Sequence, residues 1–329
     1  MDPKRWSLIA ILSAAFGLTG TVWAGEPLPL LEAGWLAPEG QIEALSSEPN
    51  VSRETVHAAA KASDLSAHFP SEAALRDELL TGEFLFRSPL LLGGQAAKAG
   101  LSCQSCHVNG RGNPHFQFAA ISDAPGTADT THSFFSKTLG NRTFDPVPIP
   151  DLTQAGKVDH NPSNGDLEAF ITRIVVDEFS GSRAVDEVIG PLATYVRALR
   201  LAGLPKEADY RSRSLMRDLT DIQATGEQAR LRLKAGQWRA ASLLMASAQG
   251  QMQNVYERLL ADLHSEQRSW LVERSLQAGI LRRALNARQA SASEQMTQWK
   301  TELLETPDFT GIEAETLYNP RLLAKALDP

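Results

Sequence analysis

Cys103, Cys106 and His107 stand together as Cys-Gln-Ser-Cys-His, and no other residues of this chain are better placed by type and spacing to do chemistry. Each of two thiols at this spacing can add to one vinyl group of a single porphyrin. A carbon–sulfur bond forms, and the thiol proton passes to the neighbouring vinyl carbon. An imidazole on the next residue is then placed to bind the iron. The chain has only two cysteines, and both belong to this motif. The pattern reads as one covalently attached haem c, held by Cys103 and Cys106, with His107 as proximal iron ligand. Two other readings compete. A thioredoxin-like dithiol follows a strand in a βαβ unit, and no such pattern surrounds residue 103. A structural zinc site takes four Cys or His ligands in two spaced pairs, and a second pair is missing.

The elements around the motif begin with a leader. Lys4 and Arg5 precede an uncharged apolar run from Trp6 to Val22, and Val22-Trp23-Ala24 offers small residues for cleavage. Residues 1–24 read as a signal peptide, so the protein is expected in the periplasm. The alternative is an uncleaved membrane anchor, for which the run is near the lower length limit. Export and haem attachment support each other, because bacteria attach haem c on that side of the membrane. The net charge of −7 becomes −8 once Asp2, Lys4 and Arg5 (net +1) are removed. An acidic chain is a poor partner for nucleic acid and a suitable one for a basic redox protein.

Residues 25–62, with Pro27, Pro29, Pro38 and Pro49, read as a tether ending in a short helix over 53–62. In residues 63–203, Ser71 is a helix cap before Leu75, Leu79 and Leu80. From Val108 to Asp151 the chain is rich in Gly, Pro, Asn, Asp and Thr, without helical or strand periodicity. A loop of that length in a compact domain is usually functional. Wrapping a haem is one such role, with Phe116, Phe118, Phe134 and Phe135 as apolar walls. Helical spacing resumes at Leu167, Phe170, Ile171 and Ile174, capped by Asn164 or Ser163, and again from Val185 to Leu199. Residues 204–306 change character: proline is absent from 206 to 306, and apolar residues recur at three- and four-residue steps. Leu219 and Ile222, Leu243, Leu244 and Met252, and Leu271, Leu276 and Ile280 are examples. This predicts an antiparallel helical bundle or hairpin. Residues 307–329 read as a polar C-terminal tail.

Residues 80–107 resemble the start of the di-haem cytochrome c peroxidase family, which includes the methylamine-utilisation di-haem enzyme. The likeness rests on Gly82-Glu83-Phe84-Leu85-Phe86, Ser88-Pro89-Leu90-Leu91 and Gly100-Leu101-Ser102 before the haem motif. It continues more loosely through Asn113-Pro114-His115-Phe116, Pro125 to Ala128 and Asn141-Arg142-Thr143. The stretch Ile189 to Leu199 is similar to the closing helix of a cytochrome c domain. The resemblance covers about residues 70–203. It implies an all-α chain: a cytochrome c-like haem domain over 63–203, followed by the helical bundle. Family peroxidases carry two haems, one that reacts with peroxide and one that relays electrons. This chain has no second Cys-x-x-Cys-His. A peroxidase cycle would therefore need its second electron from another protein.

The far side of the iron is the open position. No methionine lies between His107 and Gly203; Met216, Met245, Met252 and Met296 all fall in the helical region. Unless that region reaches over the haem, the usual His/Met pair of an electron carrier is absent. That leaves a second histidine, or an open or water-bound site; after the motif the domain offers His115, His132 and His160, and the resemblance points to His115 as distal ligand. Arg111 and Arg142 are candidate propionate partners through charge-assisted hydrogen bonds. The leading expectation is an exported mono-haem c-type cytochrome that transfers single electrons, with the bundle as docking or assembly module for a redox partner protein. The alternative is a peroxidase-type haem enzyme. A haem-based sensor or a structural subunit is a third reading.

Overall fold

The computed structural model describes residues 30–156, 158–183, 185–205 and 209–328, and the chain is mostly helical. The leader read over residues 1–24 lies outside these residues. From Leu30 the stretch read as a tether is instead packed: Leu30, Trp35, Leu36 and Leu45 are buried. Its prolines and glycines break the helical period without removing the apolar side chains that anchor it. Single turns of tight helix at Leu31–Trp35 and Pro38–Gly40 lead into helix α1 (Gln41–Ser46) and strand β1 (Ser47–Pro49). Ala37 N donates to His115 O and Gln117 N to Trp35 O, so this segment lies along the loop that follows the cysteine motif.

Helix α2 (Arg53–Lys61) is capped by Ser52, and α3 (Glu72–Phe86) by Ser71, whose hydroxyl accepts from Ala74 N at 3.1 Å. Short helices α4 (Gly94–Lys98) and α5 (Cys103–Cys106) follow. Among the described residues between Arg111 and Gly165, regular structure is limited to the two-residue pairing of β2 (Thr127–Ala128) with β3 (Val147–Pro148) and an isolated bridge from Phe116 to Leu36. Helix α6 (Asp166–Arg173) opens at Gly165 in the left-handed region, with Asn164 Oδ1 accepting from Asp166 N. It widens into one loose turn at Ile174–Glu178. Helix α7 (Asp186–Ala202) ends at Gly203, whose left-handed φ of 56° suits a residue without Cβ. Helices α3 and α7 cross at close range: a Cβ on Gly82 would stand 2.1 Å from Pro191 O, so only glycine fits there.

Strand β4 (Tyr210–Ser212) pairs antiparallel with β1. Helices α8 (Leu215–Lys234), α9 (Trp238–Arg258), α10 (Ser265–Asn286) and α11 (Ala292–Leu304) then pack in sequence, and α11 returns to α8. Helix α12 (Pro320–Leu327) packs on α1. Phe309, Leu317, Tyr318 and Leu323 are buried, so the end of the chain, read as a polar tail, is fixed by its apolar residues.

Two apolar cores result. One runs without a break from Val56 on α2 through α3 and α7 into α8–α11, so the regions divided at residue 203 share their interior. The other joins Trp35, Leu36, Leu101, Phe116 and Phe135 to Leu317 and Leu323. Behind the first core, Arg53 and Arg87 on α2 and α3 meet Glu83 and Asp221 on α3 and α8. Arg53 Nε lies 2.7 Å from Glu83, and Arg87 NH1 lies 2.7 Å from Asp221. Charges out of water require such partners, and here they tie the cysteine-bearing half to the bundle.

Candidate haem-binding site

Helix α5 is a single turn, so the chain must fix it from outside. Ser102 N donates to Ser105 Oγ at 3.1 Å, which closes its first orphan donor. His107 N donates to Cys103 O at 2.9 Å and ends the turn. The returning chain locks it: Asn113 N donates to Cys106 O and Asn113 Nδ2 to Ser105 O, both at 2.9 Å. Gln104 and Asn109 exchange two hydrogen bonds of 3.1 Å. Asn109, at φ 51°, takes the left-handed conformation that asparagine tolerates. Both thiols and the imidazole thus leave one turn.

His107 Nδ1 lies 3.0 Å from the carbonyl oxygen of Pro150. A carbonyl can only accept, so Nδ1 carries the proton and Nε2 keeps its lone pair. Burial pushes the His107 pKa down to about 4, against weaker upward pulls from Pro150 O and Asp151. The ring is therefore neutral through the physiological range, which is the form that binds metal. Burial pushes both thiols up to about 12. A redox-active dithiol needs the opposite shift, toward thiolate.

Cys103 packs against the first core, with Leu152, Val158, Phe170 and Ile171 among the partly buried residues of that cluster. Cys106 belongs to the second, with Phe118, Ile149 and Phe179. Phe86 lies 6.3 Å from the His107 ring, centre to centre, and meets Tyr195 edge-on at 5.6 Å. Phe118 stacks on Phe135 at 6.0 Å. Among the described residues, no group of three or more His, Cys, Asp or Glu is arranged to hold a bare metal ion. Two neutral thiols and one oriented imidazole amid apolar walls fit a haem, which asks the protein for thioether anchors and a single nitrogen on that face. They do not fit a four-ligand zinc site.

The other residues picked out in the sequence scatter. Arg111 turns inward: its Nε lies 2.9 Å from Asp151 Oδ2 and its side chain is 6 % exposed. Arg142 stands exposed on the loop at φ 62°. The His115 ring packs on Gly40, and its Nε2 lies 3.7 Å from Glu43. His132 Nδ1 accepts from Phe134 N, and its ring meets Phe144 edge-on. Burial and then Arg200 and Arg197 lower the pKa of His160, whose carbonyl accepts from Arg197 Nε. Met245, Met252 and Met296 are fully buried among the bundle helices, and Met216 is exposed on α8. Sequence reasoning missed Pro150, Asp151 and Thr153. Their one signal is the Pro-Val-Pro-Ile-Pro run at 146–150, which fixes an extended chain but not its neighbour. Comparison with known proteins finds no matching family model, no matching curated protein and no matching solved structure.

Proposed function

We propose that this chain is an exported mono-haem c-type cytochrome that carries single electrons in the periplasm. The observation that supports this most is the His107 Nδ1–Pro150 hydrogen bond beside the two half-buried thiols. Cys103 and Cys106 would anchor one haem c through thioethers, and His107 would hold its iron through Nε2. Bound haem supplies one-electron redox chemistry. The chain supplies the rest. Burial keeps both thiols protonated before attachment and the imidazole neutral, Pro150 fixes the ring's tautomer, and Phe86 packs beside the ring. The haem unit is read as cytochrome c-like, with α3 and α7 as its crossing terminal helices. The bundle supports it through the packing of α8 and α9 on α3. The acidic surface suits a basic redox partner protein.

The test is the purified full chain made with haem-attachment machinery. The expected product holds one haem that survives acid–acetone extraction and is lost in Cys103→Ala/Cys106→Ala. Electron transfer predicts a low-spin spectrum indifferent to peroxide, cyanide and carbon monoxide. A chain without covalent haem overturns the reading. A high-spin ferric haem that binds these ligands rapidly transfers it to the peroxidase class.

A further inference from the structure

Asp151 follows Pro150, whose carbonyl accepts from His107, and Arg111 holds it there. Arg111 Nε meets Asp151 Oδ2 at 2.9 Å, and Arg111 NH1 donates to Thr153 Oγ1 at 3.4 Å. The second oxygen, Asp151 Oδ1, accepts from Thr153 N at 2.8 Å and from Thr153 Oγ1 at 2.6 Å. Leu152 N donates to Gly110 O, and Ile149 N to Gly126 O, both at 2.9 Å. Gly112 lies so close that a Cβ on it would stand 2.7 Å from Ile149 O. Residues 149–153 are thus pinned on both sides of Pro150. The anchors from Asp151, Leu152 and Thr153 run to Gly110 and Arg111, in the loop that directly follows His107. The donor imidazole and the acceptor carbonyl are therefore fastened to one another through that loop, across 43 residues of sequence.

We propose that Arg111 and Asp151 form a clamp that sets the His107–Pro150 hydrogen bond, and through it the electron donation of His107 to a bound haem iron. This rests on the haem reading above. A firmly held acceptor draws more density from Nδ1–H, makes Nε2 the better donor and favours ferric iron. Replacing a buried ion pair as a unit is often nearly neutral for stability, so stability alone does not account for it. Orientation does. Arg111 is a positioning residue here, acting through Asp151 and Pro150.

The test uses the haem-loaded full chain carrying Arg111→Gln, Asp151→Asn or Thr153→Val, with Leu281→Ala as a control that weakens the packing of α10 on α9 and α11. Two quantities are read: the midpoint potential, and the exchange rate of the His107 Nδ1 proton with deuterium by proton NMR. Loss of the clamp speeds exchange by about tenfold, the protection one hydrogen bond gives. It also shifts the potential upward, most in Arg111→Gln and least in Thr153→Val. Arg111→Lys, which keeps the charge and loses the fork, falls between wild type and Gln. Leu281→Ala lowers the melting temperature and moves neither quantity. Wild-type exchange and potential in the clamp variants overturn the clamp. If Arg111→Gln does not accumulate, Thr153→Val decides, since it removes one hydroxyl from a nearly unchanged shape. A wild-type chain without haem fails the underlying reading, and that failure is visible before any variant is made.

Discussion

Between Gly100 and Gly165 the chain keeps its shape through hydrogen bonds made one at a time, whereas between Leu215 and Leu304 it does so through a repeated apolar face. In the first region single side chains satisfy particular backbone groups. Asn113 serves Ser105 O, Asp129 accepts from Thr131 N and Asp145 N, and Asp151 accepts from Thr153 N. In the second, Leu219, Leu244, Met252, Leu281 and Trp299 fill one interior, and the backbone satisfies itself within helices. A periodic core spreads its energy over many replaceable contacts. A loop held by individual bonds sets the position of particular atoms, which is what a cofactor needs.

The largest contrast comes from one substitution in each region. Leu244 is fully buried on α9, so Leu244→Ala is expected to cost about 2–5 kcal/mol in chemical denaturation while leaving the absorption spectrum of the proposed haem in place. Gly112→Ala forces its new Cβ against the Ile149 backbone. That costs less, about 1–3 kcal/mol, but it displaces the chain beside Pro150 and shifts the spectrum and midpoint potential. If Leu244→Ala disturbs the spectrum as much as Gly112→Ala does, the two regions are not separable in this way.

The border between them gives the next effect. A cavity of about 170 Å³ separates the far side of α5, at Ser102, Gln104 and Ser105, from Asp218 on α8 and Gln251 and Asn254 on α9. Burial raises the Asp218 pKa to about 6, and Glu48 adds to this; the Tyr318 hydroxyl and the Arg258 and Arg213 guanidinia pull it down less strongly. The folded state thus holds a proton that the unfolded chain releases near pH 4. Stability falls as pH rises from about 4 to about 6, by about 2 kcal/mol. Asp218→Asn keeps an acceptor for Tyr318 and removes the ionisation. Its stability profile is expected to be flatter over that window and higher than wild type at pH 7. A wild-type slope retained in Asp218→Asn would assign the proton to another group.

This contrast also explains what could be read in the sequence. Helices α8–α11 announce themselves because burial on one face leaves a three- and four-residue rhythm. Even there the rhythm overstates the core: Leu271 and Leu285 are buried, while Leu276 and Ile280 face solvent. Ser71 before Leu75 predicts the start of α3 because a cap is a local bond. Local spacing also brings out Cys103, Cys106 and His107. Pro150 and Asp151 stay hidden because nothing local ties residue 150 to residue 107. Arg111 has the right charge for a propionate, but charge does not say which carboxylate is nearest, and that proves to be Asp151. The segment from Leu30 to Pro49 misleads in another way. Its prolines and glycines imply a free chain, yet Trp35, Leu36 and Leu45 hold it down without any period to reveal them.

Helix α3 lies outside both regions and links them, packing on α8 and α9 and reaching His107 through Phe86, and its cap gives the smallest effect. Ser71 satisfies Ala74 N at the outer end of α3, and Phe86 touches His107 at the inner end. In between, Gly82 seats α3 on Pro191 of α7, and Glu83 pairs with Arg53 and Arg87. If tertiary packing holds the inner end, removing the cap frays only the first turn. Ser71→Ala is then expected to cost about 1 kcal/mol in denaturant unfolding. Amide exchange should speed at Ala74 and Leu75 and stay slow from Leu79 to Phe86. A spectrum of the proposed haem altered by Ser71→Ala would mean that the cap, rather than the crossing with α7, fixes Phe86 against His107.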